Sequence, residues 1–281
     1  MPAANSRVLL VVSDVDGTLL DPDKNLTPGA PGAVGKLRAA RIRFTIVSAR
    51  PPRLTHELLR ELHVTEPSAC FNGALLIGSD DSVLRQLPMK TSDAHTVADR
   101  ICALKLDLWI YTPTDWYVTN PTGYHVQHQE GLMGAKATPL RIYDMSQYHV
   151  LKLVGVSANF DAVNQAEVAV NAIPGLAISA TRSSNYYLDV THKDANKGQV
   201  ILTLSKMLHI PPQQIATIGD MQTDALMFRQ SGVSIAMGNA SDDVKAQAKY
   251  VTRKNTEDGF AYAMEQFVLG LHEQQERVAA D

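Results

Sequence analysis

Asp14 and Asp16 stand two residues apart in the segment Asp14-Val15-Asp16-Gly17-Thr18-Leu19-Leu20, directly after the apolar run Val8 to Val12. An unbroken apolar run of this length reads as a strand buried on both faces of a parallel sheet. Open α/β sheets bind their ligands at the carboxyl ends of such strands. One carboxylate placed there can bind a divalent cation and attack a phosphorus atom, while its neighbour handles a proton. Gly17 permits a tight departure from the strand. The bland alternative is a polar turn. A calcium loop is the sharper rival, but it should follow a helix, with glycine sixth and glutamate twelfth. Here a strand precedes, Gly17 is fourth and Asn25 is twelfth.

Three further segments offer complementary chemistry. Ser48-Ala49-Arg50 ends a second expected buried strand, Phe44 to Val47, where a hydroxyl and free backbone N–H groups can hold phosphate oxygens. A serine there is otherwise an ordinary turn or helix cap. Asn196-Lys197-Gly198 opens a helix, and a lysine at the positive end of a helix runs against the dipole preference. It therefore calls for an anionic partner, the alternative being a solvated surface lysine. Gly219-Asp220-Met221-Gln222-Thr223-Asp224 follows the run Ile215 to Ile218 and supplies two more carboxylates, four residues apart. Mg²⁺ takes oxygen ligands and often only one or two carboxylates, completing its shell with water and substrate phosphate. Asp224 also suits a helix start.

These residues converge only if their strands share one sheet. The outer segments alternate strands with helices: a helix over about Pro31 to Ala40, another with Leu54, Leu58, Leu59 and Leu62 on one face, a short strand at Ser68 to Phe71, and a helix from near Lys197. Ile215–Ile218 and Val233–Met237 read as strands, Asp224–Gln230 and Asp242–Ala248 as helices. That rhythm predicts βαβ units and a parallel sheet. Residues 87–189 differ, with strands at Leu108–Tyr111, Trp116–Thr119 and Val150–Val156 and a helix at Asp161–Ala172. The expected class is α/β: a Rossmann-like parallel-sheet core formed by residues 1–86 and 190–281, carrying an inserted α+β domain at 87–189. Trp109 and Trp116 read as packing residues of the insert. His125 and His128 have metal-ligand spacing but no clear third ligand nearby. The tail after about Leu271 is polar.

Composition narrows the partners. A formal net charge of −3 provides no basic field for nucleic acid. The apolar run at Val8 is too short for a signal segment, no run reaches the length of a membrane span, and the two cysteines, Cys70 and Cys102, suggest no disulfide framework. A cytoplasmic protein without nucleic-acid or membrane partners is expected.

With these segments in hand, the chain resembles the haloacid dehalogenase superfamily, and within it the Cof-type sugar-phosphate phosphatases with an α/β cap. Asp14 to Leu20 matches the family's first motif without change; Ser48, Lys197, and Asp220 with Asp224 match the second, third and fourth. Asn72-Gly73-Ala74 and Met237-Gly238-Asn239-Ala240 also resemble segments of that subfamily. The resemblance implies Asp14 as nucleophile and Asp16 as general acid and base. It implies Mg²⁺ held by Asp14, the backbone carbonyl of Asp16 and Asp220, with Asp224 supporting or ligating. Ser48, Ala49 and Lys197 would bind the phosphoryl group, Lys197 also restraining Asp14. Arg50, Asn72 and Thr223 are candidates for substrate contact, as are Arg182, Asn185 and Tyr186 from the cap. The implied substrate is a small phosphorylated molecule, by default a sugar phosphate. Ala49 and Thr223 depart from the usual glycine and asparagine. A phosphomutase or phosphotransferase would use the same aspartyl-phosphate, and a non-catalytic relative would share the fold alone.

Overall fold

Leu10, Val11 and Val12 are all fully buried, although neighbouring side chains of a strand point to opposite faces. Val11 packs into one apolar cluster, and Leu10 and Val12 into another. The first strand therefore lies between two layers, which is why its sequence shows no alternation. The computed structural model describes residues 7–141 and 143–270; the polar tail beyond Leu271 lies outside them. Five parallel strands form the central sheet: β1 (Leu10–Ser13) and β2 (Arg43–Ile46), then, from the far end of the chain, β12 (Ile215–Gly219), β13 (Val233–Ala236) and β14 (Tyr250–Val251). Their order is β14-β13-β12-β1-β2, with β1 in register with both β12 and β2. One face is covered by helix α1 (Ala30–Ala39) and the C-terminal segment around Phe260 and Met264. The other is covered by α6 (Lys197–Leu208) through Val200, Ile201 and Leu204. The α/β class expected from the sequence is the one found.

Helix α2 (Pro52–Glu61) buries Leu54, Leu58 and Leu59 on the expected stripe. After it, β3 (Ser68–Cys70), β4 (Leu75–Ile77) and β5 (Val83–Gln86) form a small antiparallel sheet, tied to the main one by a parallel bridge between Val47 and Ala69. The hairpin of β4 and β5 has no counterpart in the sequence reading; β5 is exposed throughout and carries no apolar alternation. The helix expected at Asp224–Gln230 is shorter, α7 at Ala225–Phe228, and the Asp224 side chain turns back to the preceding loop rather than capping forward.

A second sheet of six strands has the order β10-β11-β9-β6-β7-β8. Its strands are β6 (Asp107–Tyr111), β7 (Trp116–Val118), β8 (Thr138–Pro139), β9 (Lys152–Val156), β10 (Ile178–Ser184) and β11 (Tyr187–His192). Helices α3 (Thr91–Ala103) and α5 (Phe160–Asn171) cover one face through Leu108, Ile110, Leu153, Leu188 and Val190. The opposite face presents Trp109, Tyr111, Trp116, Val154 and Tyr187, and α4 (Val126–Met133) lies on that side. Trp109 and Trp116 are packed, as expected. This second face meets the parallel-sheet layer: the Tyr111 and Phe71 rings are 5.5 Å apart, and Lys152 Nζ donates to the Ala49 carbonyl at 3.4 Å. Cys70 and Cys102 are both free thiols. Among the described residues no helix is long and apolar enough to cross a membrane.

Candidate active site

The registers of β12, β1 and β2 decide the site. Ser13 lies level with Ile218 on one side and Ile46 on the other, so Asp14, Asp220 and Ser48 leave neighbouring strands at the same edge. The Asp14 amide donates to Ile218 O and the Val47 amide to Ser13 O, both at 2.9 Å, carrying the parallel ladder to the last residue before the chemistry. Asp14 is 4 % exposed.

Asn196 caps α6 by accepting from the Gln199 amide at 3.0 Å, which fixes Lys197 at the first helical position. Lys197 Nζ donates to Asp14 Oδ1 and to Asp224 Oδ1, each at 2.6 Å, and all three side chains are buried. The anionic partner that a lysine at this end of a helix demands is thus a pair of carboxylates. Gly198 is required beside it, because a Cβ there would lie 2.8 Å from the Leu226 carbonyl oxygen of α7. The second oxygen of Asp224 accepts from the amides of Asp220 and Met221 at 2.9 and 2.8 Å, so Asp224 is fully engaged in shaping the loop and holding Lys197.

Asp14, Asp220 and Asp224 each offer an oxygen within 4.8 Å of the others. Burial pushes the Asp14 carboxyl up; Lys197 opposes this, and Asp224 and Asp220 push further upward. Asp220 is pushed up to about 6, by burial first and Asp224 next. Burial alone would lower the Lys197 ammonium, but its two carboxylates outweigh that and push it up. Three carboxylates around one ammonium leave the cluster short of positive charge, and the donor set is entirely hard oxygen. That set fits a divalent cation such as Mg²⁺. Thr18 Oγ1 donates to Asp220 at 3.3 Å, while Asn239 Nδ2 donates to the Gly17 carbonyl at 2.9 Å and to Asp220 at 3.3 Å. Asn239 is therefore part of the site; the sequence reading noticed its segment but gave it no role.

Gly17 adopts φ +79°, and a Cβ there would fall 2.4 Å from Asp220 Oδ2. Both the backbone conformation and the approach of Asp220 need glycine. Gly17→Ala is expected to displace Asp220 and lower turnover by about 10²-fold, the scale of an ångström's misplacement. Steady-state kinetics at saturating Mg²⁺ would check this, and unchanged kcat would contradict the placement.

Asp16 points elsewhere. Its carboxylate accepts from Arg50 Nε and Nη2, both at 2.7 Å, and from Lys24 Nζ at 2.7 Å. Burial would raise it, but Arg50 and then Lys24 outweigh that and bring it to about 2. The Asp16 side chain is thus not one of the three clustered carboxylates, and Arg50, a candidate for substrate contact, holds Asp16 in this arrangement. Lys24 was missed, since a lysine in a polar loop carries no signal of a carboxylate eight residues earlier.

Ser48 is buried, and its Oγ accepts from the Arg50 amide at 3.1 Å. Asn72 takes a left-handed conformation (φ 56°), with its amide bonded to Ser48 O at 2.8 Å and its buried Oδ1 unpaired. Thr223 lies half-buried in the turn between Asp220 and Asp224, and no hydrogen bond joins it to the acidic cluster. Arg182 pairs with Glu167 at 2.9 Å. Asn185 and Tyr186 occupy the turn joining β10 to β11, at the other end of β11 from Thr191. The Tyr186 ring packs at a tilt against His125 at 4.1 Å, His125 Nδ1 meets the Tyr187 hydroxyl at 3.3 Å, and His128 lies beside it. These histidines pack among aromatic rings.

The profile of the family described as haloacid dehalogenase-like hydrolase matches residues 11–264. The chain belongs to that family. It is 25% identical over 258 residues to a putative phosphatase of Haemophilus influenzae, covering 91% of this chain and 97% of the relative. It is also 25% identical over 287 residues to the 5-amino-6-(5-phospho-D-ribitylamino)uracil phosphatase YwtE of Bacillus subtilis, covering 93% and 99%. A haloacid dehalogenase-like hydrolase of Bacteroides thetaiotaomicron has the same fold, with a TM-score of 0.82 at 22% identity over 92% of this hydrolase and 99% of that chain. The match spans both the parallel-sheet layer and the second sheet.

Proposed function

We propose that this hydrolase is a Mg²⁺-dependent phosphatase of small phosphomonoesters, working through an aspartyl-phosphate on Asp14. The observation that carries this reading is the buried Asp14 carboxylate at the end of β1, held by Lys197 beside Asp220 and the Ser48 loop. Phosphatase relatives along nearly the whole chain support it. Asp14 attacks phosphorus as the ester P–O bond breaks, and Asp16 protonates the departing alkoxide. Asp16 then takes a proton from the water that attacks phosphorus, which releases inorganic phosphate and restores Asp14. Ser48, the Ala49 amide and Lys197 hold the transferring phosphoryl oxygens, so catalysis is mainly positioning and charge neutralisation. Asp14, the Asp16 carbonyl and Asp220 would hold Mg²⁺, with Asp224 supporting. When bound, the ion neutralises carboxylate and phosphoryl charge.

Asp16 is tied to Arg50 and Lys24 in this arrangement. An incoming phosphate competes for those cations, and a carboxylate relieved of them can take up the proton it must donate. Arg50 thus serves Asp16 first and substrate second, and Asn72 and Thr223 border the phosphate. Residues 87–189 act as the cap, closing on the site and excluding water. Substrates of the sugar-phosphate type fit this reading, supported by the phosphorylated ribityl chain in the name of the Bacillus relative.

A phosphate-release screen over sugar and polyol phosphates, with Mg²⁺ and with a chelator, tests the function. Release that needs Mg²⁺ is expected, and silence across a broad panel would sink the reading. The pKa of Asp220 adds a stability test. Its folded value of about 6 lies above the ordinary 3.8, so between those values the folded chain holds a proton that the unfolded chain has lost. The metal-free fold therefore loses stability as pH rises through that window. Mg²⁺ needs the deprotonated carboxylate. Added Mg²⁺ is expected to raise Tm more at about pH 7.5 than at about pH 5; equal shifts would contradict the assignment.

A further inference from the structure

Lys152 begins β9, level with Tyr111 on one side and Thr191 on the other, on the face of the second sheet turned toward the parallel-sheet layer. Its ammonium lies 2.6 Å from Asp189 Oδ2, and the two side chains are only 10% and 7% exposed. A buried ion pair of this kind adds little net stability, since desolvation offsets most of the attraction. What it does supply is a full positive charge at a fixed place. That place is the Ala49 carbonyl, 3.4 Å from Lys152 Nζ, between Ser48 and Arg50. The contact is long for a hydrogen bond, so the charge acts on the carbonyl dipole chiefly through its field, which buried surroundings screen weakly.

The rest of this loop is fastened from the parallel-sheet layer. The Ser48 amide donates to Ala69 O at 2.9 Å, Ser48 O accepts from the Asn72 amide at 2.8 Å, and Arg50 O accepts from the Phe71 amide at 3.1 Å. All three partners lie in β3 or the turn after it. Between them, the Ala49 carbonyl turns to the second sheet. A trans peptide is planar, with its C=O and N–H directed oppositely. Drawing the Ala49 oxygen toward Lys152 therefore turns the Arg50 N–H the other way, and that N–H donates to Ser48 Oγ at 3.1 Å. A serine hydroxyl that accepts one bond keeps its own proton to donate. The accepted bond also restricts where that proton can point.

Resting on the phosphatase reading above, we propose that Lys152, held by Asp189, is a positioning residue for Ser48. It sets the peptide between Ala49 and Arg50, and that peptide aims the Ser48 hydroxyl proton at the transferring phosphoryl group. The second sheet thereby acts on the group common to every substrate rather than on the alcohol that leaves. Losing Lys152 should cost the same factor whatever the ester, and should cost nothing further once the Ser48 hydroxyl is gone.

The test is a mutant cycle, measured with Mg²⁺ on phenyl phosphate and on the best sugar or polyol phosphate. One arm is Lys152→Met with Asp189→Asn, which leaves no lone buried charge; the other is Ser48→Ala. Circular dichroism and a thermal melt confirm folding. If the first arm fails to fold, Lys152→Gln with Asp189→Asn, whose amides can bond to each other, takes its place under the same criteria. Ser48→Ala is expected to lower kcat by about 10²-fold, as loss of one donor to a developing oxyanion does. The charge-free pair should lower it by about tenfold, equally on both esters, and the combined variant should lie within about threefold of Ser48→Ala alone. Losses that multiply in the combined variant, to about 10³-fold, would show that Lys152 does not act through Ser48 and would overturn the proposal. A loss confined to one ester, or none on either, would overturn it while leaving the phosphatase reading intact. A wild-type protein that releases phosphate from neither ester nor any other in the screen would overturn both.

Discussion

Asp14→Asn is expected to lower Mg²⁺-dependent phosphate release by at least about 10³-fold while leaving the protein folded. An amide matches the carboxylate in shape, so the end of β1 keeps its packing, but its oxygen is too weak a nucleophile to displace the ester. Lys197 retains Asp224 as a partner in the variant. The buried cluster also loses one of its mutually repelling charges, which Asp14 shares with Asp224 and Asp220. The metal-free variant should therefore melt no lower than the wild type, and the stabilisation by Mg²⁺ should shrink. Kinetics and thermal melts on the same preparation check both halves. Turnover within about tenfold of wild type would remove Asp14 from the chemistry.

Lys197→Met is expected to damage stability and catalysis together. It removes the one ammonium between Asp14 and Asp224 and leaves three clustered carboxylates without it. Breaking a buried pair from one side costs about 3–5 kcal/mol, because the stranded charge stays buried. Loss of a donor to the phosphoryl oxygens lowers kcat by about 10²–10³-fold in addition. Adding Asp224→Asn to Lys197→Met should recover part of the stability, since fewer charges are stranded, but none of the activity. Chemical denaturation and single-turnover kinetics separate these effects. A double variant that regains turnover would show that Lys197 only balances charge.

Much of this site was legible because its residues break local rules. A continuous apolar run that ends in two aspartates, and a lysine at the wrong end of a helix, are conflicts that tertiary partners resolve, and the ion pairs of Lys197 resolve the second. Parallel-sheet register did the rest, since it brings three distant strand ends to one edge. The structure alone tells which carboxylate partners which cation. Nothing in the spacing of Asp14 and Asp16 says that one side chain turns to Lys197 and the other to Arg50 and Lys24. Lys152 was hidden for a different reason. A lysine beginning an apolar strand looks like a solvated end, and only the stacking of the second sheet on Ala49 buries it. The β4–β5 hairpin was hidden by an exposed strand without alternation. Asn239 lay in a segment noted for resemblance, yet its contact with Gly17 depends on the turn after β13.

The most direct test of the account is chemical trapping of the phosphorylated residue. Enzyme mixed with Mg²⁺ and substrate is quenched in acid within the first turnover, reduced with borohydride and digested for mass spectrometry. Reduction of an aspartyl-phosphate converts that aspartate to homoserine, and the account predicts homoserine at position 14 and nowhere else. Homoserine at another aspartate, or an unmodified Asp14 during a turnover that does release phosphate, would contradict it.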